Sequence, residues 1–388
     1  MKIPLVKDTI NSHDIDKLVQ WLGTYPRLTK GEKTLEFEDE WSKFMGSKHS
    51  VFVNSGSSAN LLMLYSLLEA KLVKKGSPII VPAVSWSTDL APVVQLGFEP
   101  ILCDCNLDDL SIDLSHFEDL CEKYNPSALI LVSVLGLVPN MKRIQDICKK
   151  HNVLLLEDSC ESFGSKYKQK NLGTFGLMGT FSTYFGHHLS TIEGGVIVTD
   201  DSKIFNILKS IRSHGWDRDM DPIFQKKLRN RHDVGDFENL YKFYHFGFNV
   251  RSTDLNAFIG LGQLERASYI CQKRKENYDL YEKEIDNQFW KPEKKKDCYV
   301  SNFSYPIISK NRDEIVSSLK QGSVEVRPLV CGSLAKQPIW YENYSPVDLP
   351  NADIVDKYGL YIPNNHEMTS QQIKYISNII NPLLKEAI

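Results

Sequence analysis

The sequence has 388 residues and a formal net charge of −3, with 42% hydrophobic and 24% charged residues. These values are ordinary for a globular protein, and the length suits two domains better than one small core. Because no long basic run occurs, nucleic acids and anionic membranes are poor candidates as partners. The first residues lack the apolar core of a signal peptide, and no later stretch is apolar for long enough to span a bilayer, so we expect a cytoplasmic enzyme.

Eight cysteines are scattered along the chain, without a CxxC motif and without the spacing of a zinc site. Cys103 and Cys105 form a CxC pair, which we interpret as two buried core thiols rather than as metal ligands. An iron–sulfur cluster needs more closely grouped thiolates than this chain offers. We therefore expect no metal site.

Short apolar runs alternate with helical periods over the first half of the chain. Five runs bounded by Gly, Pro, Asn, Ser or Asp predict strands: SVFV, SPIIVPAVSW, SALILVSVLG, NVLLLEDSC and GGVIVTDD. The stretch SANLLMLYSLLEAKLVKKG predicts a helix between the first two. Such alternation is typical of a mostly parallel sheet covered by helices, which binds ligands at the carboxyl ends of its strands.

The segment 213–251 differs from the rest because it is polar, aromatic and rich in Arg, Lys and Asp. We interpret it as a long excursion that is ordered by a ligand or by a second subunit. The following stretch STDLNAFIGLGQLERASYI predicts a helix that leads into a second domain. We expect a large domain over residues 1–248 and a smaller C-terminal α/β domain over residues 249–388.

Three short stretches carry residues suited to binding a phosphorylated, flat ligand. NSGSSAN lies between a predicted strand and a helix, where free amides and hydroxyls can hold a phosphate, although the same residues also make ordinary turns and caps. A strand delivers Glu157 and Asp158 at its carboxyl end, where an acid can pair with a protonated ring nitrogen or merely cap a helix. Trp86 follows another strand and can stack on a cofactor or belong to the core.

Taken in order, these motifs resemble the DegT/StrS-type sugar aminotransferases. The likeness extends from FEDEWSKFMGSKHSVFVNSGSSAN through VPAVSW, LEDSCESFGS, FSTYFGHHLSTIEGG and RSHGW to FGFNVRSTDLNAFIGLGQL. Members of that family are fold-type I pyridoxal phosphate enzymes that act on nucleotide-linked keto sugars. The resemblance implies the same fold, with a mostly parallel central sheet and a smaller C-terminal domain, and pyridoxal 5′-phosphate or pyridoxamine 5′-phosphate as the cofactor.

The resemblance also assigns cofactor-binding roles to individual positions. It places the cofactor phosphate on the hydroxyls of Ser57, Ser58 and Ser182. It implies that Trp86 stacks on the pyridine ring and that Asp158 pairs with the ring nitrogen.

Two further positions follow from the same resemblance. Glu161 falls where a polar residue approaches the phenolic oxygen of the cofactor. Asn249 belongs to a GxNxR motif whose asparagine reaches the phosphate of the neighbouring subunit. The resemblance therefore implies a homodimer with shared active sites.

One position departs from the family pattern. The family carries a catalytic lysine six residues before the glutamate of the EGG motif, and counting back from Glu193 leads to His187. No lysine lies between Lys170 and Lys203, so a shift of the alignment does not restore one. Lysine would tether the cofactor aldehyde and move a proton, whereas imidazole acts only as a general base. We therefore expect His187 to be catalytic, with an untethered cofactor.

The run HHLSTIEGG is similar to that of one branch of the family, the GDP-4-keto-6-deoxy-mannose 3-dehydratases, and so is EVRPLVCGSLAKQP. This resemblance implies that L-glutamate converts the cofactor to its amine form and that the C3 hydroxyl of a GDP-linked 4-keto-6-deoxy sugar is then removed. The expected products are a 3,6-dideoxy-4-keto sugar, 2-oxoglutarate and ammonia. A second histidine-bearing branch uses an iron–sulfur cluster, but the cysteines beyond residue 250 are too widely spaced for one.

Two other functions remain open from the sequence: a nucleotide-sugar aminotransferase without its usual lysine, and an inactive paralogue. The substrate contacts are also open. His214 and Arg218 are candidates for binding the nucleotide or the sugar, although a solvated loop would explain them equally well. Arg327 is a candidate for gripping the glutamate carboxylate or a sugar diphosphate, because guanidinium binds both with two hydrogen bonds.

Overall fold

The computed structural model describes residues 2–286, 288 and 290–384. Within these residues the α-helices are α1 (Ser12–Leu22), α2 (Glu32–Met45), α3 (Gly56–Glu69), α4 (Ser87–Gln95), α5 (Leu114–Tyr124), α6 (Met141–His151), α7 (Ser202–Ile211), α8 (Pro222–His232), α9 (Asp254–Glu284), α10 (Arg312–Gln321), α11 (Pro338–Tyr341), α12 (Pro350–Tyr358) and α13 (Ser370–Ile380). The strands are β1 (His49–Val53), β2 (Pro78–Pro82), β3 (Glu99–Cys103), β4 (Ala128–Val132), β5 (Leu154–Asp158), β6 (Lys166–Tyr167), β7 (Lys170–Asn171), β8 (Met178–Ser182), β9 (Gly195–Thr199), β10 (Cys298–Tyr299), β11 (Tyr305–Ile308), β12 (Arg327–Pro328) and β13 (Gly359–Ile362).

A seven-stranded sheet with the order β1-β9-β8-β5-β4-β2-β3 forms the centre of the molecule. The neighbours from β8 to β3 are parallel, and β9 is antiparallel to both of its neighbours. Because β9 is the one reversed strand of this sheet, the other six end at the same edge. The predicted mostly parallel sheet is confirmed, and all five predicted strands are present.

Apolar side chains cover both faces of this sheet, which explains why its strands are continuous hydrophobic runs. All five residues of β4 and of β9 are buried. Helix α3 begins two residues before the predicted serine, because Ser55 caps it by accepting a hydrogen bond from the amide of Ser58 (3.1 Å). Cys103 and Cys105 are both buried, as expected for core thiols.

A smaller three-stranded sheet with the order β11-β13-β12 lies in the C-terminal part of the chain. The 31-residue helix α9 contacts both α2 and α13, and residue Ile3 forms a parallel bridge with Val324. The predicted domain boundary after residue 248 stays a prediction.

The aromatic excursion 213–251 contains helix α8, in which no residue is buried, and a short 3₁₀ helix at Glu238–Tyr241. Several of its apolar side chains are exposed, among them Phe237, Tyr241 and Phe246. Among the described helices, none is both long and apolar enough to cross a membrane.

A buried ion pair connects helix α2 to the sheet. The guanidinium of Arg212, which is fully buried, donates hydrogen bonds to the carboxylate of Glu38 and to the carbonyl oxygen of Phe52 (2.8 Å). Glu38 also accepts a hydrogen bond from the amide of Phe52 (2.7 Å). We expect Arg212→Met to lower the free energy of unfolding by about 3–5 kcal/mol, because Glu38 would stay buried without its partner.

Urea unfolding monitored by far-UV circular dichroism measures this effect. The control is Lys43→Met, because Lys43 pairs with Asp39 and Glu40 on an exposed face of α2 and should leave the unfolding midpoint unchanged. Equal midpoints for the two variants would contradict the expected difference between the buried and the exposed pair.

Candidate active site

The N-terminus of α3 lies against the end of β8 and forms a small, polar cradle. A side chain at Gly56 would place its Cβ 2.7 Å from Cβ of Ser182, so glycine allows this close approach. Ser57 and Ser58 occupy the first turn of α3, with Ser57 exposed and Ser58 half-buried. Free amides at a helix N-terminus together with three hydroxyls fit a phosphate group.

Asp158 ends β5 at the same edge of the sheet and is only 7% exposed. The side-chain amide of Asn60 donates to Asp158 Oδ2 (2.6 Å), and the main-chain amide of Cys160 donates to Oδ1 (2.9 Å). Asn60 is itself held by the hydroxyl of Thr180, which donates to Asn60 Oδ1 (2.6 Å). These hydrogen bonds fix the orientation of the Asp158 carboxylate, which fits a site for a protonated pyridine nitrogen.

Trp86 lies at the N-terminus of α4, and its side chain is 57% exposed. The alternative interpretation of Trp86 as a core residue is therefore wrong. Its main-chain amide donates to Asp89 Oδ2 (3.1 Å), and Asp89 is adjacent to Asp158. An exposed indole beside this acid is free to cover a flat ring.

His187 lies in the loop between β8 and β9, with its ring centroid 5.3 Å from that of Phe303. Its Nδ1 is buried and has no hydrogen-bond partner among the described residues. The negative charge of Asp158 reaches His187, but burial dominates and lowers the pKa of the imidazole to about 4. His187 is thus a neutral base whose Nδ1 is unpartnered among the described residues.

His188 occupies a different environment. It is 1% exposed, and its Nε2 lies 2.9 Å from the carbonyl oxygen of Ser301, to which the neutral ring donates. Burial lowers its pKa well below the usual value. Nδ1 is unpartnered among the described residues in both histidines, but His188 is almost fully buried, whereas His187 is partly exposed.

Arg274 lies beneath the histidine loop and was not predicted from the sequence. It is 2% exposed and donates to the carbonyl oxygens of Phe303 (2.8 Å) and Asn364 (2.5 Å), with a longer contact to that of His187 (3.5 Å). Burial lowers its pKa to about 10. No carboxylate of the described residues lies within ion-pair distance of Arg274, and its charge adds to the effects that keep His187 neutral.

Glu161 accepts a hydrogen bond from the main-chain amide of Leu135 (2.7 Å). Burial and the nearby charge of Asp158 raise the pKa of its carboxyl to about 7, while the Leu135 hydrogen bond opposes that rise. The pKa of the neighbouring Tyr361 phenol is raised to about 12, mainly by burial and to a smaller extent by the charge of Glu161. Tyr361 thus extends the site toward the C-terminal sheet.

Arg327 pairs with Tyr361 across strands β12 and β13 and is exposed. Its positive charge lowers the pKa of the Tyr361 phenol, whereas the charge of Glu161 raises it. The structure therefore brings Arg327 to the side of the site where Glu161 lies. A guanidinium there is free to bind an anionic ligand.

The remaining predicted residues lie in the excursion 213–251. The guanidinium of Arg218 covers the ring of Trp216 (4.1 Å to its centroid), and His214 packs edge-on against the same ring. Asn249 is exposed in a segment whose next residue accepts a hydrogen bond from Asn54 (3.0 Å), directly before the phosphate cradle. His214 and Arg218 contact other residues of this excursion rather than the cradle.

The lowered pKa values of the two adjacent histidines predict how stability depends on pH. The folded-state pKa values of His187 and His188 are lowered, so below about pH 6.5 the unfolded chain binds protons that the folded chain does not. We expect these two histidines to lower the free energy of unfolding between pH 6.5 and 4.5 by on the order of 1–3 kcal/mol, while the raised pKa of Glu161 acts in the opposite direction. His188→Gln keeps an N–H donor for Ser301 and should weaken this dependence. Urea titrations at several pH values measure both slopes, and parallel slopes would contradict the assignment.

Comparisons with known proteins agree with the site. The sequence pattern of the DegT/DnrJ/EryC1/StrS aminotransferase family matches residues 9–381. The chain therefore belongs to this family, which confirms the resemblance read from the motifs, and its fold is that of the family's pyridoxal phosphate enzymes.

One branch of the family supplies particularly similar proteins. The chain is 33% identical over 391 residues to a GDP-4-keto-6-deoxy-D-mannose 3-dehydratase from Yersinia pseudotuberculosis, with 98% of each chain covered. The E. coli enzyme of that name, solved with bound hydrated pyridoxal phosphate, has a TM-score of 0.90 and 32% identity, covering 98% of this chain and 99% of that one. Another structure of such a dehydratase holds a trapped geminal diamine of pyridoxal phosphate and glutamate (TM-score 0.89, 33% identity, 97% of this chain and 100% of that one).

Proposed function

We propose that this chain is a pyridoxal phosphate- and pyridoxamine phosphate-dependent 3-dehydratase that removes the C3 hydroxyl of a GDP-linked 4-keto-6-deoxy sugar. L-Glutamate supplies the amine, and the products are a 3,6-dideoxy-4-keto sugar, 2-oxoglutarate and ammonia. The observation that carries the proposal is His187, a neutral base at the family's lysine position, inside a site that retains its polar groups. Full-length similarity to dehydratases of this specificity supports it.

The residues present fit the cofactor. Ser57, Ser58 and Ser182 would hold the phosphate, because they meet at the helix N-terminus of the cradle. Asp158 would pair with the ring nitrogen from its fixed orientation. When bound, the cofactor acts as an electron sink that lets a leaving group depart from the sugar carbon next to the imine.

Trp86 would cover the exposed face of the ring, since its indole is exposed beside Asp89 and Asp158. Glu161 would approach the phenolic oxygen, and its carboxyl, with a pKa near 7, can hold or release a proton at neutral pH. Together these two residues would exclude water from the ring and orient it.

His187 would move the proton at C4′, the carbon that carries the amine. Its imidazole is neutral over the physiological range, so it can accept a proton directly. Since imidazole forms no stable covalent link to the aldehyde, the cofactor would be held by its phosphate, its ring nitrogen and stacking alone. The C3 hydroxyl would then leave as water by taking up a proton, which protonated His187 can return.

We further propose a cytoplasmic homodimer with shared active sites. In such a dimer Asn249 of each subunit would reach the phosphate site of the other, which accounts for its exposure in the single chain. The exposed apolar side chains of the excursion, including Phe237 and Phe246, support burial against a second copy.

His214 and Arg218 would contact the nucleotide or the sugar, and Arg327 would contact the carboxylate of glutamate or a diphosphate.

The mass of the sugar product tests the proposal. The protein would be incubated with pyridoxal phosphate, L-glutamate and GDP-4-keto-6-deoxy-mannose. A product that has lost the C3 hydroxyl, formed together with 2-oxoglutarate and ammonia, is the expected result. A product that keeps this hydroxyl and gains an amine would identify an aminotransferase instead. Absence of both products and of 2-oxoglutarate from a cofactor-loaded protein would favour the inactive paralogue.

A further inference from the structure

A second buried carboxyl lies next to the acid assigned to the ring nitrogen. Asp89 is 1% exposed and belongs to the first turn of α4, whereas Asp158 ends β5. The side chains of the two acids are in hydrogen-bond contact. The amide nitrogen of Asn60 bridges them, at 2.6 Å from Asp158 Oδ2 and 3.2 Å from Asp89 Oδ1.

Two carboxyls in contact away from water cannot both be ionised, so they share one proton. The main hydrogen-bond donors favour the carboxylate on Asp158, which receives the shorter bond from Asn60 and one from the amide of Cys160 (2.9 Å). Asp89 receives the amide of Trp86 at 3.1 Å and the longer contact from Asn60. The proton therefore rests on Asp89.

The surroundings of Asp89 agree with this placement. The charged groups that act most on it, Asp158 and Glu161, are both acidic, and the thiols of Cys160 and Cys331 lie close enough to sense its charge. Burial and these acids raise the pKa of Asp89 well above its usual value. A helix cap alone would not explain this arrangement, because it requires the hydrogen bond from the Trp86 amide but not burial beside a second acid.

We propose that Asp89 is a positioning residue for the cofactor ring nitrogen. The protonated carboxyl of Asp89 donates a hydrogen bond to Asp158 and keeps the Asp158 carboxylate ionised and oriented. The same side chain accepts the amide of Trp86. Asp89 thereby connects the residue that would cover the ring with the residue that would hold its nitrogen. This inference rests on the proposed cofactor site but not on the identity of the sugar.

Two substitutions separate this role from helix capping. Asp89→Asn keeps the size, an acceptor for Trp86 and an N–H donor for Asp158. Asp89→Leu keeps the size but removes the donor and the acceptor. The probe is pyridoxamine 5′-phosphate alone, whose dissociation constant is measured at pH 7 by quenching of tryptophan fluorescence in the full-length protein.

We expect Asp89→Asn to bind pyridoxamine phosphate within about twofold of the wild type, and Asp89→Leu to bind on the order of tenfold more weakly, because Asp158 loses a buried donor. Unchanged binding in Asp89→Leu would overturn the proposal and leave Asp89 as a cap. Equal losses in both variants would overturn it too, since a donor would then not suffice.

Stability provides a second readout that a cap would not give. A carboxyl whose pKa is raised by folding lowers the unfolding free energy as the pH rises above its unfolded value of about 3.8. The stability of Asp89→Asn relative to the wild type should therefore increase from pH 4 to pH 7. A difference that is independent of pH would mean that Asp89 is ionised and would refute the proposal. Since neither readout involves the sugar, both can succeed even if the proposed dehydration fails.

Discussion

Replacement of His187 by asparagine should abolish sugar dehydration while leaving cofactor binding intact. Asparagine remains polar but cannot accept a proton at neutral pH, and the loss of a general base costs about 10²–10⁴-fold in rate. The ring that packs against it, that of Phe303, is apolar and cannot accept a proton. We expect kcat for dehydration to fall by this factor.

Rapid-mixing assays of the sugar product and of 2-oxoglutarate measure the loss, and pyridoxamine phosphate affinity is measured in parallel. His188→Gln is the matched control, because His188 is almost fully buried with its Nε2 on the carbonyl oxygen of Ser301, whereas His187 is partly exposed. It should keep kcat near that of the wild type at 25 °C. If His187→Asn retained kcat within about fivefold, another group would be the base.

A lysine at the same position gives an independent check of the alignment. In His187→Lys the primary amine should bind the cofactor aldehyde covalently, so that pyridoxal phosphate stays with the protein through gel filtration after borohydride reduction. Dehydration should be lost. A variant that behaves like the wild type would mean that His187 does not lie beside C4′.

Asp158→Asn should produce the second large effect. Asparagine has nearly the same shape but no charge, so the protonated ring nitrogen would lose its buried partner. A pair broken in this way costs about 3–5 kcal/mol, which corresponds to roughly 10²–10³-fold or somewhat more in kcat/KM. We expect pyridoxamine phosphate affinity to fall along with activity.

Glu157 offers a matched control for this variant. It is the neighbouring buried acid on β5, but its carboxylate accepts hydrogen bonds from the main-chain amides of Gly173 (2.7 Å), Phe175 (2.6 Å) and Gly176 (2.7 Å). Glu157→Gln should therefore lower the unfolding midpoint more than the cofactor affinity. The opposite pattern, with a stability loss only in Asp158→Asn and an affinity loss only in Glu157→Gln, would exchange the roles of the two acids.

The local features of the fold could be predicted from the sequence because they depend on neighbouring residues. Apolar runs such as ALILV and GVIVT are buried on both faces and formed strands as predicted. The start of α3 was predicted less well, since the serine that caps it is Ser55 and not Ser58. Several serines in succession can each serve as a cap, and the sequence pattern does not distinguish between them.

The sequence by itself determined the family, the order of the cofactor-binding motifs and the absence of a lysine at His187, because identity and spacing are written in the chain. Only the tertiary structure revealed that His188 is buried against Ser301 whereas His187 is partly exposed. It also placed Asp89 beside Asp158 and the charge of Arg274 beneath the site. These groups come from distant segments, and their contacts depend on strand register and helix packing, which no local pattern encodes.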